Sequence, residues 1–122
     1  MKYMLLIYGD ETAMAKLNEA ERAALFRDYG QFSEGIRRSG NFLAGAPLRP
    51  TPTATTVRLR EGKRLVTDGP FAETREQLGG YYLVEAKNLD EALAIAGRIP
   101  SVGAGGAVEV RPIMEMGPAP HK

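Results

Sequence analysis

Cysteine and tryptophan are absent from this chain, and its single histidine, His121, is the penultimate residue. Without cysteine there is no disulfide framework and no thiolate nucleophile or ligand. With the lone histidine beside the chain end, where order is commonly lost, Ser-His-Asp and Cys-His sites and histidine-rich metal sites are excluded. Acid–base chemistry must then fall to Asp, Glu, Tyr or Lys. Long hydrophobic runs are also missing. The longest, Met4 to Tyr8, is far short of the roughly 20 residues that span a bilayer. Nor is there an excess of charge: 16 basic residues face 15 acidic ones, for a formal net charge of +1. No strong field favours nucleic acid or an anionic membrane, and basic pairs such as Arg37-Arg38 and Lys63-Arg64 read as solvated faces. Met1-Lys2-Tyr3 enters the first apolar run without a cleavable signal pattern, so a cytoplasmic protein is expected.

What is present is ordinary for one soluble globular domain: 122 residues, 43% hydrophobic and 25% charged. Lys2 to Tyr8 is apolar on both alternating faces, as expected of a strand covered on both sides. Gly9-Asp10 ends it, and a polar, alanine-rich connector runs to Leu17. Asn18 to Glu21 reads as a capping box. Leu25, Tyr29, Phe32 and Ile36 then recur at helical spacing, predicting a helix over about 18–39 that Gly40 terminates. Asn41 to Leu48 reads as a short strand closed by Pro47 and Pro50. Thr55 to Arg60 alternates, with Val57 and Leu59 expected inward and Thr56, Arg58 and Arg60 outward. Glu61-Gly62-Lys63 turns the chain back into a hairpin partner ending at Thr67.

Gly80 to Ala86 is a second two-sided apolar strand. Asn88 to Glu91 is another capping box, with Leu89, Ala92, Leu93 and Ala96 expected on the buried face of a helix stopped by Pro100. Gly103 to Gly106 reads as a flexible loop, and Val108 to Arg111 as the last strand. Residues 1–116 are expected to form one domain, and 117–122 a disordered tail. The order β-α-β-β(-β)-β-α-β is that of a ferredoxin-like α+β sandwich with an extra hairpin strand.

Two helices cover one face of such a sheet and no more. Met4, Leu6 and Tyr8 oppose Leu5 and Ile7, while Tyr81 and Leu83 oppose Tyr82 and Val84. One apolar face is therefore left bare, which marks an interface. The expectation is a two-fold homodimer, sheets face to face around a barrel-like space.

The most chemically suggestive stretch is Asp68 to Ala86. Asp68-Gly69-Pro70-Phe71 has the make-up of a tight turn, in which Asp accepts backbone amides, Gly allows positive φ and Pro fixes its own. The polar segment Ala72 to Gln77 is longer than a hairpin needs, and longer polar loops often carry binding groups. On one helical turn Glu73 and Gln77 would point the same way. Glu73 and Glu76 could act as acid–base partners or be solvated surface with Arg75 between them. Gly79-Gly80 lacks the GxxxxGK pattern and precedes no helix, so it is read as backbone bending, and no cofactor is expected. Tyr8, Tyr29 and the other tyrosines could line a pocket or be plain core. Arg58 and Arg111 could clamp a carboxylate, or Arg111 could only bridge to Glu109 or Glu85.

The run Asp68 to Tyr82 resembles the signature of the DGPF branch of the YCII-related family. The opening Met1 to Gly9, Thr55-Thr56-Val57-Arg58 and Val108 to Pro112 resemble it too, so the likeness covers nearly the whole chain. It implies a dimeric α+β barrel. A sister branch is associated with a His/Asp pair whose histidine lies on the first helix. The matching position here is Tyr29, so the resemblance does not bring that pair across. It also implies a setting near extracytoplasmic-function sigma factors.

Two functions follow as expectations. One is a cofactor-free isomerase or lyase acting on a small oxygenated or aromatic compound. There Asp68 and Glu73 would handle protons, Arg58 or Arg111 would clamp an anion, and Tyr8, Tyr29, Pro70, Phe71 and Gln77 would complete the pocket, with no metal. The other is a non-catalytic ligand- or partner-binding regulatory module. A buried carboxylate facing a cavity would favour the first, and an exposed one the second.

Overall fold

A computed structural model describes residues 1–116. Strand β1 (Lys2–Gly9) is followed by two helices, α1 (Glu11–Ala15) and α2 (Glu19–Arg38), and by strand β2 (Phe42–Pro47). A 3-10 turn at Thr51–Thr53 leads into β3 (Thr55–Arg60) and β4 (Lys63–Asp68). Then come β5 (Gln77–Glu85), α3 (Leu89–Gly97), α4 (Pro100–Gly103) and β6 (Ala107–Pro112). The main sheet has four strands in the order β2-β5-β1-β6, every pairing antiparallel. This is the ferredoxin-like arrangement expected. Strands β3 and β4 form a separate two-stranded hairpin.

The first helical boundary follows from capping chemistry. Asn18 accepts from the Glu21 amide while the Glu21 carboxylate accepts from the Asn18 amide, each at 2.8 Å. The expected connector before it is in part helical. Asp10 accepts from the amides of Thr12 and Ala13 and so starts α1, a cap that the alanine-rich composition obscured. After α3, Pro100 stands in the first turn of α4 rather than only ending the preceding helix, because a missing N–H costs nothing there. The expected loop at Gly103–Gly106 is thus the end of α4 and a turn.

Cross-strand partners share a face, so the register sorts the sheet into two sides. Tyr3, Leu5 and Ile7 of β1 are buried on one side with Tyr82 and Val84 of β5. Phe32 and Ile36 of α2 and Ala92, Ile95 and Ala96 of α3, with Ile99 beyond it, cover them. The Tyr82 ring meets Phe32 edge-on at 5.1 Å, and its hydroxyl bonds Ser33 Oγ at 2.7 Å. Gly45 has to be glycine there: a Cβ would lie 2.6 Å from Tyr82 Cδ1. The expected face of α3 is corrected. Leu89 and Leu93 are each 48% exposed, and the stripe that reaches the sheet is Ala92, Ile95 and Ala96. The small alanines let the helix approach closely, and Ile95 supplies the bulk.

The other side of the sheet is bare. Met4, Leu6, Tyr8, Leu78, Tyr81 and Leu83 lie there half-exposed, joined by Glu109 and Arg111 of β6. Among the described residues, no helix is long and apolar enough to cross a membrane.

Candidate functional site

The hairpin turns tightly at Glu61-Gly62, with φ of 50° and 77°, the positive pair that a two-residue antiparallel turn demands. Val57 and Leu59, expected inward, are 62% and 75% exposed. Alternation places them on one face with Val66, but no helix of the same chain lies against it. Beyond marginal contacts, β3 and β4 pack only on each other.

The Asp68-Gly69-Pro70-Phe71 turn closes the base of the hairpin. Gly69, at φ 97°, donates its amide to the Ala54 carbonyl at 2.7 Å and accepts from Thr56 Oγ1 at 2.7 Å. That backbone angle strains any side chain, which explains the glycine. Asp68 pairs with Thr55 across the hairpin, and its side chain is exposed, as is that of Glu73. Phe71 is 71% exposed, and the Arg58 guanidinium sits 4.7 Å from its ring centroid, a cation–π pair that folds the turn back onto β3. Pro70 is exposed beside it.

Residues 72–76 form bends rather than a helical turn, and Gln77 opens β5, so Glu73 and Gln77 do not share a helix face. Gln77 is instead a structural tie. Its Nε2 donates to the Thr74 carbonyl at 2.8 Å, and its Oε1 accepts from the Glu11 amide at 2.9 Å. The Glu11 carboxylate in turn accepts from the Thr51 amide at 2.8 Å and the Thr51 hydroxyl at 2.7 Å. The polar loop, α1 and the 3-10 turn are thereby bound at the root of the hairpin. Sequence reasoning missed Glu11 and Thr51. The sequence sign was Asp10 directly before an acidic residue, a helix start whose first turn had to find a partner.

Tyr8 and Arg111 both lie on the bare sheet face. Arg111 bonds Glu109, two residues along the same strand, through Nε at 3.0 Å and also through its terminal nitrogen. Of the two partners open to it, Glu109 is the one it takes. That hydrogen bond and the Glu109 charge raise the guanidinium pKa further.

Tyr29 stands on the opposite side of the sheet, packed against the core, with its hydroxyl bonded to Ser101 Oγ of α4. Burial raises its pKa above the usual tyrosine value. The predicted residues therefore fall in separate places: Tyr8 and Arg111 on the bare face; Asp68, Pro70, Phe71, Glu73 and Arg58 on the hairpin and its base; Gln77 at its root; Tyr29 in the helix layer.

A shallow hollow of about 660 Å³ opens along the outer side of α2 and another of about 390 Å³ between α2 and the α3–α4 junction, and no predicted site residue lines either of them. Among the described residues, no group of three His or acidic side chains is placed to hold a metal ion.

The fold and the bare face define a ferredoxin-like α+β protein with one uncovered sheet surface. The chain belongs to the YCII-related domain family, which it matches over residues 1–117. An uncharacterised protein of Rhizobium meliloti (strain 1021) is 38% identical over 114 residues, 93% of this chain and 92% of that one. Among solved structures, 5-chloro-2-hydroxyhydroquinone dehydrochlorinase (TftG) from Burkholderia phenoliruptrix AC1100, in complex with 2,5-dihydroxybenzoquinone, is similar in fold. Its TM-score is 0.56 at 14% identity, over 95% of this chain and 96% of that chain.

Proposed function

We propose that this protein binds a small oxygenated or aromatic compound between the bare sheet faces of a homodimer. The observation that carries this reading is the make-up of that face. An apolar floor of Met4, Leu6 and Leu83 is set with the Tyr8 and Tyr81 rings and one ion pair, Glu109–Arg111. Ligand sites commonly combine an apolar lining with a few placed polar groups. A single protomer offers only a surface there, so a second copy is needed to roof it. The dehydrochlorinase is a fold relative whose ligand is a small dihydroxyquinone, which supports the ligand class.

If the protein is an enzyme, isomerisation or elimination suits it. An elimination passes a proton to a base while the leaving group departs with its bonding pair, so no oxidant is consumed. Asp68 and Glu73 are the carboxylates we assign to that proton, with Arg58 or Arg111 holding an anionic oxygen.

A second reading is favoured by one observation: in the protomer both carboxylates are exposed. Such groups suit a regulatory binding module at least as well as a catalyst.

Thermal unfolding against small phenols, hydroxyquinones and carboxylates tests the proposal, with 2,5-dihydroxybenzoquinone as the first probe. A ligand at 100 times its Kd stabilises the fold by about 2.7 kcal/mol. We expect stabilisation that is weakened by Arg111→Ala. A flat response across the panel, in protein shown to be dimeric, overturns the binding reading. Chloride release from a chlorinated hydroxyhydroquinone, lost in Asp68→Asn, would select the enzyme. Tight binding without turnover would select the module.

A further inference from the structure

The surface of the protomer is too large for its mass. A compact monomer of 13.3 kDa exposes about 6,500 Å². This chain exposes 9017 Å². Allowing residues 117–122 the surface of a fully extended chain, roughly 900 Å² by the same scaling, still leaves an excess of about 1,600 Å². A standard interface buries about 800 Å² on each partner. Exposed apolar residues of the β3–β4 hairpin contribute to this excess: Val57 at 62%, Leu59 at 75% and Val66 at 49%.

An isolated two-stranded hairpin is marginal in water at best, and this one gains almost nothing from its own sheet. Its root, by contrast, is firmly tied. Gly69 bonds Ala54, Thr56 bonds Gly69, and Glu11 holds Thr51 through two bonds. A stiff root under an arm with a bare apolar row is the geometry of an element that packs on something else.

The charges of the hairpin sort by face. Residues 55–68 carry Arg58, Arg60, Lys63 and Arg64 against Glu61 and Asp68, a net of +2. By the hairpin register Arg58, Arg60 and Lys63 lie on the face opposite the Val57–Leu59–Val66 row, whose own face carries only Arg64 and Asp68, so the row can be buried with its charges balanced. An excess surface roughly twice the standard 800 Å² per partner fits a second copy of this chain.

We propose that the β3–β4 hairpin is an exchange arm that seats its Val57–Leu59–Val66 row on the body of a second copy of this chain. This rests on the dimer reading above and goes beyond it. The sheet faces alone could pair without the arms, whereas here each protomer reaches around the other and closes the flank of the space between them.

The chain has no tryptophan and no cysteine, so single-site reporters are clean. Leu59→Trp places the sole indole on the arm row, and its emission is followed while sedimentation reports the oligomeric state across a dilution series. We expect emission at shorter wavelength in the dimer, shifting to longer wavelength as dilution splits it. Shortening the arm to a two-residue turn between Ala54 and Gly69 should weaken dimerisation at least about tenfold.

If a dimer forms while the indole stays solvent-exposed at every concentration, the arm proposal falls and the sheet-to-sheet dimer stands. A particle that stays monomeric throughout brings down both. Short-wavelength emission in the monomer places the arm on its own chain and overturns the proposal. If Leu59→Trp does not fold, Val57→Cys carrying an environment-sensitive dye gives the same readout.

Discussion

Strands β1 and β3 each carry an apolar row at every second residue, and the two rows meet opposite fates. In β1, Tyr3, Leu5 and Ile7 are 2%, 0% and 8% exposed, under α2 and α3. In β3, Val57 and Leu59 stand 62% and 75% exposed, with no helix to meet them. Alternation says that a strand has an apolar face. It is silent on what covers that face, because the cover comes from elsewhere in the chain or from another chain. The two-faced β1 makes the same point within one strand, where the Met4, Leu6 and Tyr8 side remains open while its opposite side is the core.

The largest effect that sharpens this contrast is a pair of truncations. Leu5→Ala empties a fully enclosed site and should cost roughly 2–5 kcal/mol in urea unfolding. Leu59→Ala in dilute protein should cost no more than about 0.5 kcal/mol, because the side chain is already largely hydrated. Raising the protein concentration should increase the Leu59→Ala cost and leave that of Leu5→Ala unchanged. Equal costs at high dilution would mean that the arm is already packed within its own chain, and the contrast would dissolve.

A smaller effect is expected where the two regions join. Glu11→Ala removes both acceptors of Thr51 and should cost about 1–3 kcal/mol, since one of those donors is a backbone amide. Amide hydrogen exchange should speed up at Thr51 and through β3 and β4, while the β1 and β5 amides stay protected. Uniform loss of protection across the main sheet would show that Glu11 supports the whole fold rather than the arm root.

The Asn18–Glu21 capping box, the Asn88 cap, the two-sided strands β1 and β5 and the bare sheet face are all legible in the sequence, because each is written in local spacing or alternation. At α3 only the Asn88 half of the expected box forms, since the Glu91 carboxylate accepts from the Lys87 amide instead. Asn18 and Glu21 sit three apart as the box requires, and the helix they start is the helix observed. What was not legible depends on long-range partners. Gln77 looked like a pocket residue and is a tie to Glu11, 66 positions away. Tyr29 shares the helical stripe with Phe32 and Ile36, and that same stripe turns it towards α4 and away from the bare face. Of the expected α3 face, Ala92 and Ala96 are buried, while Leu89 and Leu93 stay exposed because only the smaller side chains fit the close approach. For the candidate site, the sequence marked Asp68 to Phe71 as a turn and Tyr8 and Arg111 as face residues. It could not say that the turn belongs to a separate two-stranded hairpin rather than to the sheet that carries Tyr8 and Arg111.

The smallest expected effect probes the covered half alone. Tyr29 and Ser101 join α2 to α4 through their hydroxyls, and burial holds the Tyr29 proton more tightly in the folded chain than in the unfolded one. A group of that kind contributes its stability fully below the unfolded tyrosine value of about 10, and the contribution is lost as pH rises through the higher folded value. Tyr29→Phe should therefore cost about 1 kcal/mol near neutral pH, for the hydrogen bond. It should also flatten the decline in stability as pH rises past the unfolded tyrosine value of about 10. Urea unfolding of the two proteins from neutral pH through that value measures both. An alkaline decline as steep in Tyr29→Phe as in the parent would assign it to other groups and leave the Tyr29–Ser101 bond as a purely local tie between two helices.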